Sequence, residues 1–213
     1  MGALADLIAA VEQASSALEL LQATAALAAS AEPAAAPTLV EVLGFNNPGA
    51  AVAAVDGLIA IGTPAVEPLL QLDPRNYGAR AWAVRALAGI GDVRGLDVLI
   101  EALLEDVGPS VRRAAAKGLG SLRLASLNSA ERDGIAQRCL EALLLGSRDG
   151  EWVVRYAVAV GLEGLALGSD WATATAAHQR TCEALRGLGD AAREDATVVR
   201  LRAELALKRL LQR

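Results

Sequence analysis

One segment of this chain occurs five times. Ala79-Arg80-Ala81-Trp82-Ala83-Val84-Arg85-Ala86-Leu87-Ala88-Gly89-Ile90 aligns residue for residue with Val111 to Leu122, 32 positions further on. An earlier copy, Ala50 to Ile61, lies 29 residues upstream, and later copies, Val154 to Leu165 and Val199 to Leu210, follow at offsets of 43 and 45. A period of this length is the signature of a stacked array, because a unit so small buries its apolar face only against its neighbours. Each copy carries apolar residues at i, i+3, i+4, i+7, i+8 and i+11, the stripe of a core-facing helix, save Arg202 at i+3 of the last. In the third copy these are Val111, Ala114, Ala115, Gly118, Leu119 and Leu122.

Each copy follows a shorter helical pattern, near Pro37–Leu43, Pro64–Leu72, Arg94–Leu104, Ile135–Leu145 and Ala172–Leu188. Pro37 and Pro64 suit a first helical turn. Asp73, Asp106 and Asp149 mark the turn between the two helices of a pair, and Gly62, Gly91 and Gly168 mark the exits. Leu4–Val11 and Leu18–Ala29 form one more degenerate pair, and longer connections near 123–134 and 167–171 account for the stretched offsets. The expectation is an all-α, HEAT-like right-handed solenoid of about six helix pairs. It is read as a single domain over 1–213: a cap pair at 1–36, repeats over 37–166, and a closing repeat or cap at 167–213. The second helices line one face, the natural place for a ligand.

Composition agrees. Hydrophobic residues make up 54% of the chain, yet only six are aromatic, and most of the apolar content is Ala, Leu and Val. Such residues favour closely packed helices over sheet. There is no basic N-terminal region and no apolar run of the roughly 18 residues a membrane helix needs. Two cysteines, Cys139 and Cys182, do not make a disulfide framework. A cytoplasmic protein without membrane insertion is expected. Residues 1–72 contain seven carboxylates and no Lys or Arg, whereas the remainder holds all 20 basic residues against 18 acidic ones. That distribution excludes a basic nucleic-acid footprint and suits a partner-binding first third joined to an anion-binding middle.

The aromatic residues gather at one level of the repeat. Tyr77 and Trp152 occupy equivalent positions, filled by Pro48 and Pro109 in other copies, and Trp82 and Tyr156 lie one turn into their helices. The group suits either stacking on a flat conjugated ligand or packing between repeats. Arg80, Arg112 and Arg155 each follow a turn aspartate by six or seven residues, a regular spacing that predicts an Asp–Arg ladder. Arg75, Arg85 and Arg113 fall off that spacing and are the better candidates for binding a carboxylate ligand. His178 has no second histidine to share a metal, so no metal site is expected and a solvated or capping role is assigned. Cys139 and Cys182 read as apolar fillers, and Gly118 and Gly120 as helix stops.

Two stretches carry a family resemblance. Asn76-Tyr77-Gly78-Ala79-Arg80 through Gly91-Asp92, and Ser110-Val111-Arg112-Arg113 through Gly120, resemble the phycobilisome-lyase HEAT-like repeat. Gly44-Phe45-Asn46-Asn47-Pro48-Gly49 through Val55, and Glu151-Trp152-Val153-Val154-Arg155-Tyr156-Ala157, are similar more narrowly to the F-type subunits of the E/F-type phycobilin lyases of cyanobacteria, which act on the phycocyanin alpha subunit. The resemblance spans about residues 37 to 166 and extends to the total length. It implies a heterodimer with a longer E-type subunit, neither being effective alone. It also implies phycocyanobilin or phycoerythrobilin as substrate, with no other cofactor, and a cysteine of a phycobiliprotein alpha subunit as acceptor. A related subtype that also isomerises the bilin carries a His-Cys motif. This chain has Asn46-Asn47-Pro48-Gly49 there, which implies simple attachment.

The expected reaction adds a thiolate across the exocyclic double bond of ring A. Arg75, Arg85 or Arg113 would pair with the propionates, and Tyr77, Trp82, Trp152 and Tyr156 would flank the conjugated plane. Asp73, Asp106 or Asp149 would bond the pyrrole N–H groups and favour the protonated, more electrophilic bilin. The rival is a repeat scaffold or chaperone for phycobilisome assembly or bilin handling that catalyses nothing itself.

Overall fold

The computed structural model describes residues 2–73, 75–169, 171 and 175–212, and among them there are only helices and turns. The chain divides into two compact units, one ending at Ile90 and the other beginning at Gly91. In the first unit α1 (Ala3–Glu12) pairs with α2 (Ala17–Ala29), α3 (Ala36–Val42) with α4 (Pro48–Ile61), and α5 (Val66–Leu70) with α6 (Tyr77–Ile90). The second helices of these pairs pack in sequence, α2 on α4 and α4 on α6. In the second unit α7 (Leu96–Glu105) pairs with α8 (Pro109–Leu119), α9 (Ser129–Gly146) with α10 (Trp152–Gly168), and α11 (Ala176–Gly189) with α12 (Thr197–Leu211). Here α8 packs on α10 and α10 on α12. The described helices are the twelve, in six pairs, that the repeat implies.

Local chemistry explains the boundaries. Ser16, Asn47, Asn128 and Thr175 each accept a hydrogen bond from the backbone N–H three residues on, satisfying donors that a helix start leaves open. Asn128 starts α9 well before Ile135, so the expected long connection at 123–134 is shortened from its far side. The expected start of the preceding helix in the last pair, Ala172, lies outside the described residues; α11 begins at Ala176. Gly62 and Gly91 adopt φ of 74° and 69°, a region that β-carbons disfavour, and they turn the chain between pairs. Each unit closes over leucines: Leu27, Leu39, Leu43 and Leu58 in the first, and Leu99, Leu119, Leu143, Leu162 and Leu185 in the second.

Gly120 stops α8, as expected, and one contact there went unread in the sequence. A β-carbon at Gly120 would collide with the backbone of Gly161, and one at Gly161 with the carbonyl of Ala116. The backbones of α8 and α10 therefore touch, and only hydrogen fits between them.

Candidate functional site

The ladder is present in the second unit, with a division of labour the spacing did not show. Arg112 Nη1 donates to the carbonyls of Asp106 and Val107 in its own turn, at 2.9 and 3.1 Å. Its Nε and Nη2 reach forward to the carboxylate of Asp149 in the next pair, at 2.7 and 3.0 Å. Arg155 repeats the pattern, holding the carbonyls of Asp149 and Gly150 at 2.9 and 3.0 Å and the Glu194 carboxylate at 2.6 and 2.7 Å. Arg200 holds the carbonyls of Glu194 and Asp195 at 2.8 and 3.1 Å. Each arginine thus secures its own turn, and the first two tie it to the following one. A fork of donors suits both tasks at once.

The ladder sets the electrostatics of this edge. Burial alone would push the Asp149 carboxyl up. The hydrogen bond from Arg112, the amide of Glu151 and the charges of Arg112 and Arg155 outweigh it and hold Asp149 below the usual carboxylate range. The Arg155 hydrogen bond does the same for Glu194, which is 3% exposed. Asp149 is therefore spent on structure. Of the other two carboxylates considered as acids, Asp106 accepts the Gly108 amide at 2.8 Å, and Asp73 forms an exposed ion pair with Arg75 at 2.9 Å. That pair also takes Arg75 from the set of unengaged cations.

The remaining candidates divide between the units. In the first, Tyr77 is the opening residue of α6 and 76% exposed, and the Arg85 guanidinium lies 5.0 Å from the Trp82 ring centre. In the second, Trp152 opens α10 and is half exposed, Tyr156 is half-buried one turn on, and Arg113 is exposed on α8. Asn47, in the stretch where the isomerising subtype differs, caps α4 and donates to the carbonyl of Ala17 at 2.8 Å.

Because Arg112, Arg155 and Arg200 make the same carbonyl contacts, they fix a common register for α8, α10 and α12. One residue past each arginine stand Arg113, Tyr156 and Leu201; five past, Lys117, Val160 and Leu205; two before, Ser110, Val153 and Val198. All nine are exposed or half-buried, so they make one solvent-facing surface across three adjoining helices. Its character changes steadily: cationic on α8, aromatic and aliphatic on α10, aliphatic on α12. Leu201 and Leu205 are 59% and 42% exposed. No acidic residue occupies any of the nine positions. Lys117, Val153, Val160, Val198, Leu201 and Leu205 escaped sequence reasoning, although the repeat register carried the signal.

A cleft of about 810 Å³ lies elsewhere, between α9, α11 and the ladder turns. It is lined by four arginines against five carboxylates; Arg155 and Arg180 are each already paired within this set, and Arg193 with Asp190 outside the lining. It offers an anion no net attraction. His178 was expected to be solvated or to cap a helix and is instead buried: it is the third residue of α11, facing inward, with Nε2 at 3.5 Å from Cys182 Sγ. Sequence reasoning also missed Glu163, which is 4% exposed on α10 and held by Arg202 and Arg209 of α12.

Comparison with known proteins agrees with this architecture. Residues 66–163 match the HEAT repeats family. The chain is 46% identical to "Phycocyanobilin lyase subunit beta" of Thermosynechococcus vestitus over 98% of its own length and 97% of that protein's. It is 56% identical to "Phycocyanin alpha phycocyanobilin lyase CpcF" of a Synechocystis species, over 75% of each chain. Among solved structures it resembles a chain of the complex of CpcE and CpcF of phycocyanin lyase from a Nostoc species. That match has a TM-score of 0.71 and 45% identity, and covers 82% of this chain and 99% of that one.

Proposed function

Since the chain belongs to the family of F-type phycocyanobilin lyase subunits, we propose that it is one half of a bilin lyase that attaches phycocyanobilin, or a closely related bilin, to a cysteine of a phycobiliprotein alpha subunit. The carrying observation is the 46% identity extending over essentially the whole of a lyase subunit. The second half is an E-type subunit, as in the complex of CpcE and CpcF whose chain this one resembles.

The reaction is an addition. The acceptor thiolate attacks the exocyclic double bond of ring A. The C–S bond forms as the π bond is consumed, and the proton that the thiol gave up ends on the pigment, so no oxidant or reductant is needed. The lyase contributes position and exclusion of water, holding the pigment extended so that one carbon is attacked. The bilin is substrate, and no cofactor is required. No described helix is long and apolar enough to cross a membrane, and we place the reaction in the cytoplasm, where the apo-acceptor is made. We place the partner contact on the first unit, where residues 1–72 carry no cation and Leu18, Phe45 and Val52 are exposed.

Co-expression with an E-type subunit, an apo alpha subunit and bilin-synthesis enzymes tests the reading. Zinc fluorescence of the denatured alpha subunit should appear only when both lyase subunits are present. A pure scaffold would leave the denatured acceptor dark.

A further inference from the structure

We propose that the graded face of α8, α10 and α12 is the seat of the linear tetrapyrrole, with Arg113 and Lys117 taking its propionates and α10 and α12 supporting one half of its conjugated plane. This rests on the reading above that a bilin is the substrate; what is added is the place and the orientation.

The argument begins with charge. Arg113 and Lys117 stand one turn apart on α8, both exposed, and among the described residues neither forms an ion pair. They differ in this from Arg112, Arg155 and Arg180, whose carboxylates neutralise them. An unpaired, exposed cation pair binds a dicarboxylate without first breaking a contact of its own. The next helix supplies flat and branched apolar surface: Tyr156 and Val160 at the same register, flanked by Val153 and Trp152. The last helix continues it with Val198, Leu201 and Leu205. Neighbouring packed helices lie about 8–10 Å apart, so the face extends roughly 20 Å from the cations to the leucines. The two propionates of a linear tetrapyrrole stand on its two inner rings and project from one edge of the plane, so with both held on α8 the apolar side chains beyond meet one half of the body.

The α12 stripe is otherwise hard to account for. In α10 the side turned toward α12 is marked by Glu163, which Arg202 and Arg209 hold. The equivalent position of α12 is Lys208, with Glu204 one turn before it, and both are exposed. Leu201 and Leu205 share that exposed arc, since 201, 204, 205 and 208 are spaced i, i+3, i+4 and i+7, and they are apolar where the outer face of a terminal repeat is expected to be polar. They continue the register of Tyr156 and Val160 on α10.

The orientation has a consequence: with the propionates anchored on α8, one outer ring lies over α10 and α12. The test uses the complex with its E-type partner and phycocyanobilin as probe, followed by absorbance and by thioether yield on the alpha subunit. Arg113→Glu with Lys117→Glu should weaken binding roughly ten- to hundredfold, the loss expected for a charge-assisted pair. The dimethyl ester of the pigment should bind wild type and this variant alike. Leu201→Glu with Leu205→Glu should abolish the red-shifted, extended-form absorbance while the complex still co-purifies. Unchanged binding, spectra and yield in both variants would overturn the assignment and leave the lyase reading standing. Loss of co-purification in the leucine variant would overturn it too, by making the stripe a subunit contact. Absence of any spectral shift with the wild-type complex would defeat both readings.

Discussion

Arg155→Ala removes the central tie of the ladder, and its cost can be worked from the contacts. The Arg155 side chain is 15% exposed and its partner carboxylate, Glu194, is 3% exposed. The truncation leaves Glu194 in place without a cation, and breaking a buried pair from one side costs about 3 kcal/mol at the lower end of its range. The carbonyls of Asp149 and Gly150 also lose their donor, but they lie at a partly exposed turn where water replaces it. In a chain of this size each kcal/mol lowers the melting temperature by roughly 2–4 °C, so the second unit should melt about 6–12 °C lower at pH 7. The pH dependence separates this account from simple loss of packing. In the wild type, Arg155 holds the Glu194 carboxyl below its usual range. That contribution is complete above the unfolded value and disappears as pH falls through the folded one. In the variant the unpaired, buried carboxyl is pushed up and takes a proton readily, which relieves the penalty. The difference between the two proteins should therefore begin to shrink above the ordinary glutamate value, where the variant's carboxyl takes its proton, and go on shrinking below it. Calorimetry between pH 7 and pH 4 measures it. Arg155→Met combined with Glu194→Gln should recover much of the loss at pH 7. A variant within about 0.5 kcal/mol of wild type, or a deficit that stays constant with pH, would refute the reasoning.

Three further outcomes are expected. Gly161→Ala forces a β-carbon against the Ala116 carbonyl, where no side chain can yield; it should cost about 3 kcal/mol, read as a lower denaturation midpoint in urea. Cys139 is fully buried, and burial pushes its thiol up to about 12, so iodoacetamide at pH 8 should label it only in denaturant; fast labelling of the native protein would contradict the packing. Leu18→Lys places a cation on the exposed, cation-free side of α2, and it should weaken co-purification with the E-type subunit while the melting temperature stays within about 2 °C.

Much of the candidate site was legible because a repeat states its own register. Asp106 precedes Arg112 by six residues as Asp149 precedes Arg155, and the ladder follows from that. Glu194 precedes Arg200 by the same six, a rung that went unread because its acid is glutamate. Which carboxylate each arginine grips was not legible. The spacing joins Arg112 to the turn before it, whereas the stacked pairs bring Asp149 of the following turn to its fork. Tyr156 and Arg113 were singled out for being aromatic and off the ladder. Lys117, Leu201 and Leu205 resemble ordinary surface and helix residues until exposure shows that nothing covers them.

The sequence by itself determined the repeat, the helix pairing, the cap and turn residues and the lyase family, because helical periodicity, capping and turn chemistry are local properties written within a few residues. The tertiary structure decided what depends on residues 30 to 45 positions apart. It chose the ladder partners, hid Glu163 under Arg202, and pressed the α8 and α10 backbones together at Gly120 and Gly161. It also decided that the apolar residues of α12 face outward beside those of α10. The physical reason is that an amphipathic pattern specifies which residues share a side of a helix, whereas the neighbours actually packed against that side determine whether it is core, end cap or binding surface.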